Sequence, residues 1–312
     1  MSAELVLRSE TLIVTVLADK GADIRAVTHR ASGINVLFQP PWPEGGPTPP
    51  PEPDEREEWL AHYRGGWQLL VPNAGASRLH AGARQGYHGE ASLRRWNVVA
   101  ADDARAQLNV TLRTAPLHID RIVHLDADTL FVRDVLTNRS EKPVSFRWVH
   151  HAAFGAPFID GDSTLHADAV DVVIHFRDGG VVHDHANGKP FPLAALGADE
   201  IVDLRQVPPP HSGRSLFATL GQFTTPRFTI TSPRTGLQAT LAWDSTHLPF
   251  AWLWQECHAE QGYPWYGQAY AVGVEPANFR PGRPADSQTD LAPWAQAITE
   301  TTLRLNSSST AA

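Results

Sequence analysis

The stretch VHHAAFGAPFI, Val149 to Ile159, sets two histidines side by side. Adjacent side chains on a strand leave opposite faces of the sheet. Stepping back by two from His150 gives Trp148, Phe146 and Val144, an apolar row; from His151 the steps give Val149, Arg147 and Ser145, a mostly polar one. His150 is therefore expected in a packed interior and His151 on the face that meets solvent or a ligand. A carboxylate companion comes from QAYAVGVEPAN, where Ala271, Gly273 and Glu275 share a face and the two small residues leave room beside the acid. A carboxylate stays ionised at neutral pH unless heavily desolvated, so Glu275 is a candidate general base.

Three further stretches carry candidate binding groups. GYHGEASLRRW holds His88 between glycines that allow close backbone approach. GGWQLLVPNAG bends around Asn73. In PFAWLWQECHAEQGYPWYG, Phe250, Trp252 and Trp254 share one face with Glu256 next on it, a row that serves as core or as a platform for a ligand. His183 and His185 in VVHDHANG have the spacing of a metal-binding strand, but the Glu and later His of a cupin site do not fall in place, so a turn with solvated histidines is expected. No Gly-rich phosphate loop and no GxSxG elbow occurs.

Taken in order, GGWQLLVPNAG, the YHGE stretch, HHAAFGAPF and the closing AYAVGVEPAN resemble the aldose 1-epimerase (galactose mutarotase) family over residues 5 to 305. The match resembles a divergent branch with HHxAFG more than the galactose enzymes, which read NHxYFN there. The resemblance implies a large antiparallel β-sandwich with an open sugar groove and an isomerase that interconverts the α and β anomers of a sugar by opening its ring. It places His151 as general acid, Glu275 as general base and His88 against the sugar ring. Asn73 falls near the family's Asn-Arg loop, where no Arg follows it; Arg78 and Arg84 are the candidate replacements. Trp254 and Glu256 complete the expected substrate contacts. The family's sugar-binding Asp has no counterpart in HSGRSLFATL, with Asp203 and Asp244 as substitutes. No metal and no cofactor is expected. A carbohydrate-binding protein that kept the groove and lost catalysis is the alternative reading.

These residues need a scaffold, and the chain reads as strands punctuated by turns. Residues 4–38 resemble a meander divided by Gly21 and Gly33. Residues 39–59, rich in proline, cannot form regular strand and are expected as a loop or flap. Further β signals run from WNVVA through QAYAVGVEP. Helical signals are short: EREEWLAHY, and TDLAPWAQAITETTLRL near the end. An all-β antiparallel sandwich in a single domain, residues 1–305, with a mobile tail over 306–312, is the expectation.

The 312 residues carry a formal charge of −8 with 10 Trp and 15 His. No basic block stands out, so neither nucleic acid nor an anionic membrane surface is an expected partner. A monosaccharide or sugar derivative is, and a homodimer is left open. There is no signal-like N-terminus and no apolar run long enough to span a bilayer, and Cys257 stands alone, so a soluble cytoplasmic protein is expected.

Overall fold

In the computed structural model, residues 4–42, 46–178, 181–186, 190–196, 201–282 and 289–307 are described. Strand accounts for 54% of the chain and helix for 4%, and every strand pairing among the described residues is antiparallel. The protein is an all-β antiparallel sandwich.

Sequence alternation builds the sheet. In the strand Leu117–Asp126, residues 117, 119, 121, 123 and 125 are buried and their neighbours are not. Strand Thr129–Asn138 follows after a two-residue connection in which Ala127 adopts φ +47°, the twist tight hairpins favour. Strand Gln296–Ser307 alternates in the same way and pairs with Thr129–Asn138 on one side and Leu237–Trp243 on the other. The helix expected near the C-terminus is therefore a strand. Its inward positions, Ala297, Thr299, Thr301, Leu303 and Leu305, recur every second residue, and Pro293 precedes it. VVHDHA likewise lies in a strand, Val181–Ala186, where a turn was expected; the side chains of His183 and His185 lie outside the described residues, as does most of the expected tail.

Three adjacent segments, Trp67–Leu70, Val149–Gly155 and Tyr270–Ala277, are buried along their whole length. Both faces of these strands are therefore covered. Leu69, Ala152, Phe154, Val272 and Val274 point into the main core. Leu70, Val149, Ala153, Ala271 and Ala277 point into a second cluster with Trp59, Tyr63, Trp252 and Trp265.

The cover over that second face comes from the proline-rich segment and the short helix at its end. Helix α1 (Glu55–Ala61) starts at Asp54, whose side chain accepts from the Glu57 amide while the Glu57 carboxylate accepts from the Asp54 amide. The helix turns Trp59, Leu60 and Ala61 inward. Trp42 Nε1 donates to the Tyr63 carbonyl at 3.0 Å, and Arg84 pairs with Glu55 at the start of the helix. The start of the flap is thus tied to the residues just after the helix, and the helix start to the small hairpin of residues 78–85.

Candidate active site

Cross-strand register assembles the site. Strand Trp67–Leu70 pairs His151 with Gln68. On the other side, Val149 faces Ala277 and Ala152 faces Val274, which puts His151 across from Glu275. Glu275 in turn pairs with Trp252. Side chains opposite one another on one face lie about 4.5–5.5 Å apart at Cβ. A transverse row therefore runs Gln68, His151, Glu275, Trp252 across four strands, although the four are scattered between positions 68 and 275 of the sequence.

Within the row, His151 Nε2 lies 3.5 Å from Glu275 Oε1 and its Nδ1 lies 3.1 Å from Gln68 Oε1. The Gln68 amide nitrogen donates to the Gly65 carbonyl, which turns its oxygen toward the imidazole. Nδ1 must then carry hydrogen, and Nε2, facing the carboxyl, is the nitrogen that gains or loses a proton. His88 joins from the side: its ring centre is 5.7 Å from that of His151, and its Nδ1 accepts from the Gly75 amide at 3.0 Å. That leaves Nε2 as the hydrogen-bearing nitrogen of a neutral His88. His88 holds φ +57°, a conformation that costs energy in a residue other than glycine and gathers at functional sites.

His150 points the opposite way. It is fully buried against Trp67 and Trp148, with Nε2 3.3 Å from Asp134 Oδ2. Burial pushes its pKa down to about 4 against the pull of Asp134.

The face is not the open groove the resemblance implies. His88 and His151 are each 8% exposed and Glu275 2%. Trp59 and Tyr63 lie across them, with ring centres 6.2 and 6.0 Å from His151 and 4.6 Å between Trp59 and His88. This cover changes the expected state of His151. Burial, with the Lys20 charge nearby, pushes its pKa down to about 4, so a standing imidazolium is disfavoured.

Other expected contacts lie elsewhere. Asn73 is fully buried, not at a rim; its amide donates to the Ala76 and Gly86 carbonyls at 2.9 Å and accepts from Arg147 at 3.3 Å. It holds its own loop. Arg78 binds Gln85 and the Pro72 carbonyl, and Arg84 is exposed beside Glu55. Glu256 accepts from the Ala259 and Glu260 amides and so closes a turn. Trp254 differs from these: it pairs with Gly273 on the face that carries Glu275 and is half-buried against Trp265. Asp203 pairs with Arg205, and Asp244 accepts from the Thr246 amide.

Sequence reasoning missed Lys20, Trp59, Tyr63 and Gln68. Strand parity within GGWQLL would have put Gln68 and Gly66 on one face, but nothing local says that this face meets His151. Arg147 appeared in the polar row of His151. It stacks on Phe279 at 4.5 Å and bonds Asn73 and the Ala74 carbonyl, and burial with the neighbouring Arg78 charge lowers its pKa to about 10.

The small residue at 273 has a definite use. A Cβ there would stand 2.7 Å from Glu275 Oε1 and 3.3 Å from Trp254 Cβ. Gly273→Ala is expected to push the carboxyl aside, lowering any activity that needs Glu275 by about 10²-fold at a stability cost of about 1–3 kcal/mol. Anomer-exchange rates beside a urea melt check both numbers; unchanged rates would show that the carboxyl tolerates displacement.

The fold is that of the galactose mutarotase-like proteins. The chain superposes on a proposed aldose 1-epimerase from Escherichia coli K12 with a TM-score of 0.72 at 17% identity, over 98% of this chain and 99% of that one. A galactose mutarotase-like protein from Lactobacillus casei gives 0.68 at 18% over 97% and 100%, and a galactose mutarotase related enzyme from Lactobacillus acidophilus gives 0.68 at 15% over 98% of both. At these identities the likeness is one of fold. The chain belongs to the family described as domain of unknown function DUF4432, whose model matches residues 3–308. A search of curated proteins gives no match. Among the described residues no helix is long and apolar enough to cross a membrane.

Proposed function

We propose that this protein is an aldose 1-epimerase that works as a single β-sandwich domain, with His151 and Glu275 exchanging protons with the anomeric centre of an aldose. The observation that carries the reading is the His151 Nε2–Glu275 Oε1 approach of 3.5 Å, on an imidazole whose other nitrogen is held by Gln68. Two groups trading one proton are what ring opening needs. Glu275 takes the proton of the C1 hydroxyl while Nε2–H of His151 gives its proton to the ring oxygen. The C1–O5 bond breaks, the C1 hydroxyl becomes the aldehyde, and the total charge is unchanged. Rotation about C1–C2 and closure on the other carbonyl face reverse both transfers.

The buried setting shapes this cycle. In the free site His151 is neutral above about pH 4, so the proton on Nε2 has to be gained with the substrate bound. The carboxylate 3.5 Å away is the group that favours that protonated form. Each positioned proton transfer is worth about 10²–10⁴-fold. His88, its Nδ1 held by the Gly75 amide and its ring beside His151, is placed to meet a sugar oxygen. Trp59 offers an apolar surface for the sugar's C–H face.

Proton-NMR exchange between anomers, run across common aldoses, tests the activity. Acceleration of at least one aldose above its buffer rate is the expected result. Saturable binding with no acceleration of any aldose would replace this reading with that of a sugar-binding protein.

A further inference from the structure

The cation that the sequence sought in Arg78 or Arg84 stands somewhere else. Lys20 lies in the tight turn between strands Leu12–Leu17 and Asp23–His29, where Gly21 and Ala22 both have positive φ. The turn draws the side chain inward: Lys20 is 7% exposed and its Nζ lies 2.7 Å from Asp23 Oδ2. Register carries Asp23 next to the catalytic row, because Ile24 pairs with Trp67 and Gln68 follows. Lys20 Nζ is also 5.8 Å from the ring centre of Trp59, the tryptophan that roofs His88 and His151, and its charge is felt at His151.

An ammonium has three donors. Among the described residues Asp23 is the sole hydrogen-bond acceptor for Lys20. On Tyr63, whose ring stacks on Trp59, the hydroxyl is buried with no hydrogen-bond partner among the described residues, and Tyr63 as a whole is 1% exposed. The phenol stands where the charges of Glu275 and Asp23 both bear on it, and burial with those charges holds it in its protonated form. Two kinds of donor, an ammonium beside Trp59 and a phenol stacked on the same ring, thus stand close to the carboxyls of Asp23 and Glu275. A buried donor left unpaired is costly, so such groups mark a place where a ligand's oxygens belong.

We propose that Lys20 and Tyr63 are the substrate-binding donors of this site and that they select an uncharged polyhydroxylated sugar over a uronate or sugar phosphate. The choice of an uncharged ligand follows from charge. Lys20 is already matched by Asp23, Arg121 by Asp134 through two bonds of 2.8 Å, and Arg84 by Glu55. An anion entering here would meet the carboxyls of Glu275 and Asp23, and Lys20, the cation beside Asp23, already has its counter-ion. A hydroxyl group accepts from Lys20 and Tyr63 without adding charge.

The proposal rests on the aldose 1-epimerase reading, and its test separates the two. Anomer exchange is measured for neutral aldoses, their 6-phosphates and the matching uronates with wild-type protein, Lys20→Met and Tyr63→Phe. The expected result is that wild-type protein prefers a neutral aldose. Lys20→Met then raises KM about 10- to 100-fold, and Tyr63→Phe, which keeps the ring and its packing, raises it about 5- to 10-fold. Wild-type values of KM in both variants, or a wild-type preference for the phosphate or uronate, overturn the proposal. Should Lys20→Met fail to fold, Tyr63→Phe decides. If wild-type protein accelerates no sugar, the catalytic reading falls by itself, and saturation-transfer NMR with the same panel judges the binding claim. Loss of the neutral sugars' signal in the variants supports it; an unchanged signal, or no binding in the wild type, ends it.

Discussion

Glu275→Gln should lower kcat for anomer exchange by about 10²–10⁴-fold while KM changes little. Glutamine keeps the shape of the side chain and its place across from His151 but takes no proton from a C1 hydroxyl. His151→Asn should lose a similar amount, and the double variant little more than either, because both residues handle one shared proton. The pH profile adds a second check. Burial holds His151 at about 4, well under the ordinary histidine value near 6.5. The free site therefore holds a neutral imidazole at pH 6.5 and gains its protonated acid only as the pH falls toward 4, so the rate should show no inflection at 6.5 and should rise toward pH 4. Wild-type rates in Glu275→Gln, or an inflection at 6.5 that His151→Asn removes, would sink the assigned roles.

A larger cost to stability is expected behind the site. Asp134 and Arg121 are fully buried and joined by two bonds of 2.8 Å, and Arg121 also donates to the Ala22 carbonyl, at the turn that carries Lys20. Asp134→Ala leaves the guanidinium buried without its counter-ion and should destabilise the fold by about 3–5 kcal/mol. Replacing both partners with apolar residues, Arg121→Met with Asp134→Leu, removes the stranded charge and should recover much of that loss. Urea unfolding of the two proteins measures the difference. Equal stability of the single and double variants would show that the pair carries no such penalty. The same link predicts that the single variant disturbs Lys20 through Ala22.

How much of this was legible in the sequence differs from element to element. Period-two alternation over LHIDRIVHLD is a direct record of one buried and one half-exposed face, so the strand and its hairpin follow from residue types alone. The opposed directions of His150 and His151 follow from the same period. The capping residues Asp54 and Glu57 mark a helix start that propensity also supports. The last strand was harder: TDLAPWAQAITETTLRL mixes helix-favouring Ala, Glu and Leu with an alternation that only two flanking strands make decisive.

The site is a matter of register and cover. A sequence states that His151 and Glu275 each face one side of a strand, but not which strands become neighbours or with what offset. One slip of register would turn either side chain to the opposite face. Lys20 illustrates the limit most clearly. A lysine before a glycine reads as a solvated turn, since an ammonium is strongly hydrated and seldom buried. Only the packed molecule, with Asp23 set beside it and Trp59 laid over the row, places that charge indoors. The sequence by itself determined most of the strands, their faces and the opposed directions of His150 and His151, because these depend on neighbours a few residues away. Tertiary structure decided which side chains meet and how dry the meeting place is, because both depend on contacts between segments far apart in the chain.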